Sequence, residues 1–361
     1  MFYRKPEKGA EMSKSIKYHK VWSRDENYFV YRIPGIIVTN KGTVIIYCEA
    51  RRTADDWALM DIVMKRSEDH GKTFGSPVLL VRGTEKHHAV NNPVMVQDKN
   101  GRIHFLYCED YAIKGGGVFE RCSDDDGISW SEKKEITYAT APEYRNVFAL
   151  GPGHGICTQN GTLIIPFWMV PKKFGQIVEA HTPSVIGTIY SDDNGETWAL
   201  GEVLEAEEGI ESPNETSLCQ LPDGKIYLNT RCAMPRCRGY AIGENGYSGW
   251  ERIKTDERLP DPCCFGSVLL YNDGVHPKSV LFVNCESQTE RANVVLKGSD
   301  DGLKSWRFRL TIDSERGGYA DVAADRSSKI VYVYYETDYG KEDFLVAFPY
   351  DILLHESSTT G

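Results

Sequence analysis

The sequence SEDHGKTF at residues 67–74 is the first of four copies of one short motif. The other copies are SDDDGISW at 123–130, SDDNGETW at 191–198 and SDDGLKSW at 299–306, the last with Leu303 in place of glycine. A short motif that recurs at wide spacing is typical of a repeat architecture. In each copy the Asp at the third position can accept hydrogen bonds from backbone N–H groups across a tight turn. The glycine allows a positive φ. We therefore predict one hairpin turn per structural unit.

The spacing of the motif indicates how many units the chain contains. The closing aromatic residues are Phe74, Trp130, Trp198 and Trp306, and GENGYSGW at 243–250 resembles a degenerate copy. With that copy included, successive aromatics are 52 to 68 residues apart. A four-stranded antiparallel blade needs roughly 40–50 residues plus loops. The 361 residues therefore suffice for about six blades, a usual number for a β-propeller.

Pairs of β-branched runs around Gly-containing turns support this interpretation. Residues 35–47 contain two such runs joined by Asn40-Lys41-Gly42, and this is a hairpin signal. The same pattern returns at 94–107, 155–167 and 217–228. We predict an all-β, six-bladed β-propeller with four-stranded antiparallel blades. It occupies residues 21–354 as a single domain, with an N-terminal extension at 1–20 and a C-terminal tail at 355–361.

Composition narrows the class of function. The formal net charge of −10 argues against nucleic-acid binding, and no stretch approaches the length of an apolar membrane span. The N-terminal residues lack the apolar core of a signal peptide, so we expect a cytoplasmic protein unless a leader has been removed. None of the ten cysteines makes a recognisable zinc spacing. We expect reduced thiols, no metal and no membrane partner.

One further motif, together with the repeats, identifies a family. Tyr31-Arg32-Ile33-Pro34 stands before the first predicted hairpin. In combination with the four repeated turns it closely resembles the sialidase (neuraminidase) superfamily, whose members are six-bladed propellers with Asp-box (BNR) repeats. The resemblance extends from about Val21 to about Leu354 and implies a glycoside hydrolase that releases terminal α-ketosidically linked sialic acids.

The family binds the sialic acid carboxylate with three arginines. Arginine suits this task because it is always charged and can bind a carboxylate through two parallel hydrogen bonds. The resemblance assigns these positions to Arg32, to Arg231 at the end of the segment from Asn214-Glu215 to Asn229-Thr230-Arg231, and to Arg291. Arg51 is expected near this clamp, and Asn92 occupies a position that in relatives can contact the sugar.

The family's chemistry needs a nucleophile, a base and an acid. Sialidases are an exception among glycosidases because their nucleophile is a tyrosine. A neutral phenol avoids the repulsion that a carboxylate nucleophile would meet at a carbon already bearing a carboxylate, but its pKa near 10 requires a base. The resemblance assigns these roles to Tyr319 and Glu215. It assigns the acid/base role to Asp56, with Asp55 as the alternative.

The implied activity is that of a retaining exo-α-sialidase acting on sialylated oligosaccharides or glycoconjugates, with no cofactor. Alternatives share the same residues: a hydrolase of deaminated sialic acid, a trans-sialidase, or an enzyme that forms an anhydro product. A propeller that binds sialoglycans without hydrolysis is a further alternative.

Overall fold

The computed structural model describes residues 15–113, 115–174 and 181–356, which form six sheets arranged around a ring. The first sheet contains β2 (Val30–Val38), β3 (Val44–Arg51), β4 (Met60–Ser67) and β5 (Val78–Val81). The second contains β6 (Val90–Gln97), β7 (Ile103–Glu109), β8 (Val118–Ser123) and β9 (Lys134–Glu135), with the short β11 (Gly153–His154) parallel to β6. The third contains β10 (Arg145–Leu150), β13 (Leu163–Pro171), β14 (Val185–Ser191) and β15 (Ala199–Val203), with β12 (Ile156–Cys157) beside β13.

The remaining three sheets complete the ring. The fourth contains β16 (Thr216–Gln220), β17 (Ile226–Thr230), β18 (Cys237–Gly243) and β19 (Lys254–Pro260). The fifth contains β20 (Ser267–Tyr271), β21 (Ser279–Cys285), β22 (Val294–Ser299) and β23 (Phe308–Asp313). The sixth contains β24 (Ala320–Asp325), β25 (Ile330–Thr337), β26 (Glu342–Pro349) and β1 (Lys17–Ser23). The predicted six-bladed, all-β propeller is confirmed, with an added short strand in two blades.

Both ends of the chain differ in detail from the expected boundaries. Strand β1 starts at Lys17, inside the segment expected to be an extension, and pairs antiparallel with β26. The last blade is thus built from the beginning and the end of the chain, which closes the ring. Helix α1 (Asp351–Glu356) follows the last strand, and short 3-10 turns lie at Asp110–Ala112, Thr137–Thr140 and Lys172–Phe174. Within the described ranges no helix is long and apolar enough to cross a bilayer.

The blades are held together by apolar clusters between neighbouring sheets. The second strands β3 and β13 are buried along their whole length, and β13 is apolar throughout. β-Branched and aromatic residues favour such strands. Outer strands such as β15 are mostly exposed. One cluster joins the fifth and sixth blades and another joins the first and second. All ten cysteines are free thiols.

The repeated motifs form hairpin turns, as predicted, and the structure places them between the third and fourth strands of their blades. In the third blade the Asp193 carboxylate accepts hydrogen bonds from the Thr197 N–H at 2.9 Å and the Thr197 hydroxyl at 2.6 Å. The Ser191 hydroxyl accepts the N–H of Gly195 at 2.9 Å. In the fourth copy Leu303 adopts the same left-handed conformation, with φ of 66°, so the turn keeps its geometry without glycine.

The two ends of the ring carry different loops. At one end, the box end, lie the Asp-containing turns and the hairpins between the first and second strands of each blade. At the other end, the loop end, each inner strand begins and the second strand is connected to the third. This division follows from the antiparallel order of every blade, and it separates the repeated turns from the irregular loops.

A buried carboxylate links several blades near the axis. Asp321 accepts hydrogen bonds from the Ile36 N–H at 2.9 Å, the Ser267 hydroxyl at 2.6 Å and the Val322 N–H at 3.0 Å. His154 Nδ1 lies 2.8 Å from the same carboxylate. Burial lowers the pKa of His154, but the Asp321 charge outweighs burial and raises it. His154 therefore has a structural partner.

We expect Asp321→Asn to lower the free energy of unfolding by about 3 kcal/mol, because an amide nitrogen would face donors in a buried network. Urea unfolding followed by tryptophan fluorescence measures the change. Asp223→Asn is the matched control, since Asp223 lies in an exposed turn, where its carboxylate accepts the Lys225 N–H. Equal stability of the two variants would contradict the assignment of Asp321 as the link between blades.

Candidate active site

Irregular loops at the loop end bring most of the sequence-predicted residues together. Glu215 lies just before β16, and Arg231 lies just after its partner strand β17. The Arg231 N–H donates to the Glu215 carbonyl at 3.0 Å, and the Asn214 N–H donates to the Arg231 carbonyl at 2.9 Å. The antiparallel pair of β16 and β17 thus continues for one step beyond the sheet, and it places these two side chains next to each other.

Tyr319 completes a compact cluster with these two residues. Its hydroxyl donates to Glu215 Oε1 at 2.5 Å. Arg231 Nη1 donates to the same hydroxyl at 2.7 Å and to Glu215 Oε2 at 2.5 Å. The phenol oxygen therefore lies between a carboxylate that can accept its proton and a cation whose charge favours the phenolate.

The surroundings keep the Tyr319 phenol neutral at rest. Burial raises its pKa above the usual value of 10, and the Arg231 charge opposes that rise without cancelling it. The side chain is 5% exposed. Gly318 allows this placement, because a Cβ there would lie 2.5 Å from the Glu336 Cγ. A reaction at this oxygen accordingly requires transfer of the proton to an adjacent base.

The other two predicted arginines flank the Tyr319 ring. The Arg32 and Arg291 guanidinium carbons each lie 5.2 Å from the ring centroid. Arg32 Nε donates to Glu336 at 2.8 Å, and this carboxylate raises the Arg32 pKa against the opposing effect of burial. Arg291 contacts the rings of Tyr319 and Tyr339. Three cations from three blades thus surround one phenol.

A bulge in the innermost strand directs Arg32 into the site. The pairing of β2 with β3 shifts register between Arg32 and Gly35, and Ile33 has a φ of 62°. An irregularity of this kind reorients a side chain next to a functional site. The Ile33 N–H donates to the Glu336 carboxylate at 3.3 Å. Glu336 therefore holds both the guanidinium and the bulge.

The loop after β3 presents Asp56. The Asp56 carboxylate forms an ion pair with Arg51 Nη1, and Arg51 is also held by Glu49 at 2.5 Å. Burial raises the pKa of Asp56, but the Arg51 charge outweighs it and lowers the pKa overall. Asp55 instead accepts the Trp57 N–H at 2.6 Å within the loop. Of the two neighbours, Asp56 is the one that faces the arginines.

His181 lies between the two halves of the site. Its Nδ1 is 4.0 Å from Asp56 Oδ2. Burial lowers the His181 pKa, while the Asp56 and Glu215 charges raise it in part. Arg32 in turn contributes to lowering the pKa of Asp56. The charges of Asp56 and Glu215 therefore both reach His181, although the two residues come from different blades.

Asn92 is placed deeper than the other predicted residues. Its N–H donates to Glu49 Oε1 at 2.7 Å, and its side-chain amide donates to the Leu150 carbonyl at 3.0 Å. The residue is 3% exposed. Asn92 therefore supports the Glu49–Arg51 pair. Contact between the Asn92 amide and a sugar stays a prediction, and it would require the amide to give up its hydrogen bond to Leu150.

Sequence reasoning gave no role to the carboxylates that hold the arginines. Glu49 and Glu336 are both fully buried and follow apolar runs near the ends of their strands, IIYCE in β3 and VYVYYE in β25. A glutamate that directly follows a buried apolar run near the loop end is a signal that could have identified them, since a buried charge requires a partner. Tyr111 and His181 were also missed. The Tyr111 ring packs on Trp57 at 4.5 Å and on His181 at 5.4 Å.

At the loop end, the carboxylates described above are paired with arginines. The one group of His, Cys and carboxylate side chains close enough to share a metal ion, in the described ranges, is His104, Glu120 and Cys122 at the box end. The loop end combines the polarised phenol of Tyr319, the three arginines around it and the separate carboxylate of Asp56. That combination suits an anionic substrate and a displacement assisted by acid and base.

Comparisons with known proteins place the chain among its relatives. The profile of the BNR repeat-like domain family matches residues 59–339. The exo-alpha-sialidase of Arthroderma benhamiae is 29% identical over 299 residues, which cover 75% of this chain and 67% of that protein. The Hadza microbial sialidase Hz136 has a TM-score of 0.79 at 23% identity, covering 91% of this chain and 67% of that one. The intramolecular trans-sialidase from Ruminococcus gnavus has a TM-score of 0.73 at 16% identity, covering 91% and 96%.

The fold and the relatives together define a propeller-type glycoside hydrolase. The two structural similarities support the fold alone, because their identities are low. The family match extends over most of the chain, and the curated relatives that match it include fungal, bacterial and mammalian sialidases. The chain belongs to the BNR repeat-like family and to the sialidase superfamily, with an exo-sialidase type of function.

Proposed function

We propose that the protein is a retaining exo-α-sialidase that uses Tyr319 as its nucleophile. The observation that carries this proposal is the Tyr319 hydroxyl, which donates to Glu215 and accepts from Arg231. Arg32, Arg231 and Arg291 bind the carboxylate of a terminal sialic acid. This carboxylate then lies beside the phenol that attacks the neighbouring anomeric carbon.

The first step forms a bond between the phenol oxygen and the anomeric carbon. Glu215 takes the phenol proton as the bond forms, and the bond from the anomeric carbon to the glycan oxygen breaks. Asp56 gives its proton to that departing oxygen. A neutral phenol suits this step because a carboxylate nucleophile would approach the substrate carboxylate at a Coulomb cost.

The second step releases the sugar. Asp56, now ionised, takes a proton from water, and the water oxygen attacks the anomeric carbon. The bond to Tyr319 breaks, and the phenol oxygen recovers the proton from Glu215. Two displacements at one carbon leave its configuration unchanged. The Arg51 contact supports the ionised form of Asp56 in this step.

The test is the product formed from one sialylated oligosaccharide, followed by proton NMR from the start of the reaction. We expect free sialic acid whose first-formed anomer is α. An anhydro product or a sialic acid transferred to a sugar acceptor would identify one of the alternative reactions of the same site. A β anomer formed first would contradict the retaining mechanism, and saturable binding without turnover would contradict hydrolysis.

We expect Asp56→Asn to lower kcat/KM about 100-fold for an unactivated sialoside. The loss should be about tenfold or less for an aryl sialoside whose leaving group needs no proton. The acid must be protonated and the Arg51 charge lowers the Asp56 pKa, so the wild-type rate for the unactivated substrate should already fall with rising pH in the acidic range. Asp56→Asn should lose this basic limb.

Asp55→Asn is the matched control for the acid/base assignment. It keeps the side-chain oxygen that accepts the Trp57 N–H, so we expect nearly unchanged rates with both substrates. If Asp55→Asn showed the substrate-dependent loss and Asp56→Asn did not, the roles of the two residues would be exchanged.

A further inference from the structure

Three potential metal ligands project from one face of the second blade at the box end. His104 of β7 is directly opposite Cys122 of β8 in the antiparallel register. Glu120 is two residues before Cys122 and therefore points to the same face. His104 and Glu120 are almost fully buried, and Cys122 is half-buried. Imidazole, thiolate and carboxylate are the donors that zinc accepts in proteins.

The distances fit a single ion of the zinc class. His104 Nδ1 lies 3.5 Å from Cys122 Sγ and 2.8 Å from Glu120 Oε1, and the three ligand atoms lie within 4.8 Å of one another. In a tetrahedral zinc site, nitrogen and sulfur ligands are about 3.5 Å apart, and nitrogen and oxygen about 3.3 Å, given the usual bond lengths. The Sγ–Nδ1 separation matches, and the carboxylate needs to move by about half an ångström.

The second ring nitrogen of His104 provides an independent indication. Nε2 is buried without a hydrogen-bond partner and lies 3.8 Å from Asp98 Oδ2. The other Asp98 oxygen is held by the Asn100 and Arg102 N–H groups at 2.9 and 2.8 Å. A metal-binding histidine almost always directs its other N–H toward a carboxylate or carbonyl. Binding through Nδ1 fixes the proton on Nε2, where it faces Asp98.

The third blade encloses this group. A Cβ at Gly195 would lie 2.3 Å from His104 Cε1, and the Trp198 ring meets the His104 ring edge-on at 6.4 Å. Both residues belong to the repeated turn at 191–198. The half-buried thiol of Cys122 leaves access for an ion from solvent.

We propose that His104 Nδ1, the Glu120 carboxylate and the Cys122 thiolate bind one divalent cation of the zinc class. Binding displaces the proton of the Cys122 thiol into solvent, as thiolate coordination requires. The ion replaces the direct His104–Glu120 contact and joins the two neighbouring strands β7 and β8 of the second blade. The site is at the box end, and it takes no part in the reaction proposed for the loop end.

Cobalt(II) titration of the full chain, after chelator treatment and dialysis, tests the proposal. We expect one equivalent to bind, with a thiolate-to-cobalt charge-transfer band and the intense visible bands of a tetrahedral ion. Zinc should displace the cobalt and raise the Tm of the wild-type protein. Hydrolysis of an aryl sialoside should be the same with and without the ion, so failure of this site and failure of the proposed function are distinguishable.

Two variants identify the ligands. Cys122→Ser should lose the charge-transfer band and weaken cobalt binding at least about 100-fold, since a direct ligand matters at least as much as its outer partners. Cys157→Ser, at another half-buried cysteine, should leave both unchanged. Absence of a stoichiometric band in the wild-type protein, or its retention in Cys122→Ser, would overturn the proposal and leave His104 and Glu120 as a simple buried pair.

Discussion

Tyr319→Phe is expected to lower kcat for sialoside hydrolysis by at least about 10³-fold, because it removes the oxygen that attacks the anomeric carbon. The ring remains, so its packing on Phe265 at 5.8 Å and beneath Arg32 and Arg291 should persist. We therefore expect KM to change much less than kcat. Steady-state kinetics with an aryl sialoside measure both.

Tyr271→Phe is the matched control for this loss. Tyr271 is equally buried, and its hydroxyl donates to Asp273 at 3.1 Å in a hairpin at the box end. Its rate should stay within about twofold of wild type, since it lies away from the reacting atoms. A Tyr319→Phe variant that folds and keeps the wild-type kcat would exclude Tyr319 as the nucleophile.

Glu215→Gln is expected to lower kcat by about 10³-fold, because the amide cannot take the proton of the phenol. Tyr319 and Glu215 act on one proton, so their effects should not add. The double variant should be only slightly slower than Tyr319→Phe alone. Kinetics of the two single variants and the double variant, under the same conditions, measure the coupling.

Glu211→Gln serves as the control for Glu215→Gln, because Glu211 is an exposed glutamate in the same segment. It should leave kcat unchanged. Losses that multiply in the Tyr319→Phe/Glu215→Gln variant would show that the two residues act in separate steps. That result would contradict the proton transfer between them.

The repeated turns made the fold predictable. Each box carries its own hydrogen bonds, such as those of Asp193 to Thr197, so its structure depends little on distant parts of the chain. The spacing of the boxes then gives the number of blades. The closure of the ring was harder to predict from the sequence, because the partner of β1 is β26, at the far end of the chain. The polar sequence of β1, KYHKVWS, is also a weak strand signal.

The candidate site was predictable only in part, and for a physical reason. Residue types such as Arg32, Glu215 and Tyr319 follow from what the chemistry requires. Their supporting residues follow from packing between blades, which sequence patterns do not report. Glu336 meets Arg32 across 304 positions of the chain. The left-handed φ of Ile33 is similarly imposed by the bulge and by Glu336.

The group proposed to bind a metal ion shows the same limit of sequence patterns. Sequence spacing identified no zinc motif, because His104 and Cys122 are separated in the chain by 18 positions and are brought together by strand register. Metal motifs in sequences depend on ligands close together in the chain. Ligands opposite each other on neighbouring strands become visible only once the register is known.

The most direct test of the central claim is to trap the glycosyl-enzyme with a sialosyl fluoride that carries a second fluorine at carbon 3. The fluorine at carbon 3 disfavours the oxocarbenium-like state and so slows both steps. The good leaving group, fluoride, speeds only the first step, so the glycosyl-enzyme accumulates. Peptide mapping by mass spectrometry should then find the sugar on Tyr319 in wild type and on no residue in Tyr319→Phe. A sugar attached to Glu215 or Asp56, or continued turnover with no adduct on Tyr319, would contradict the mechanism.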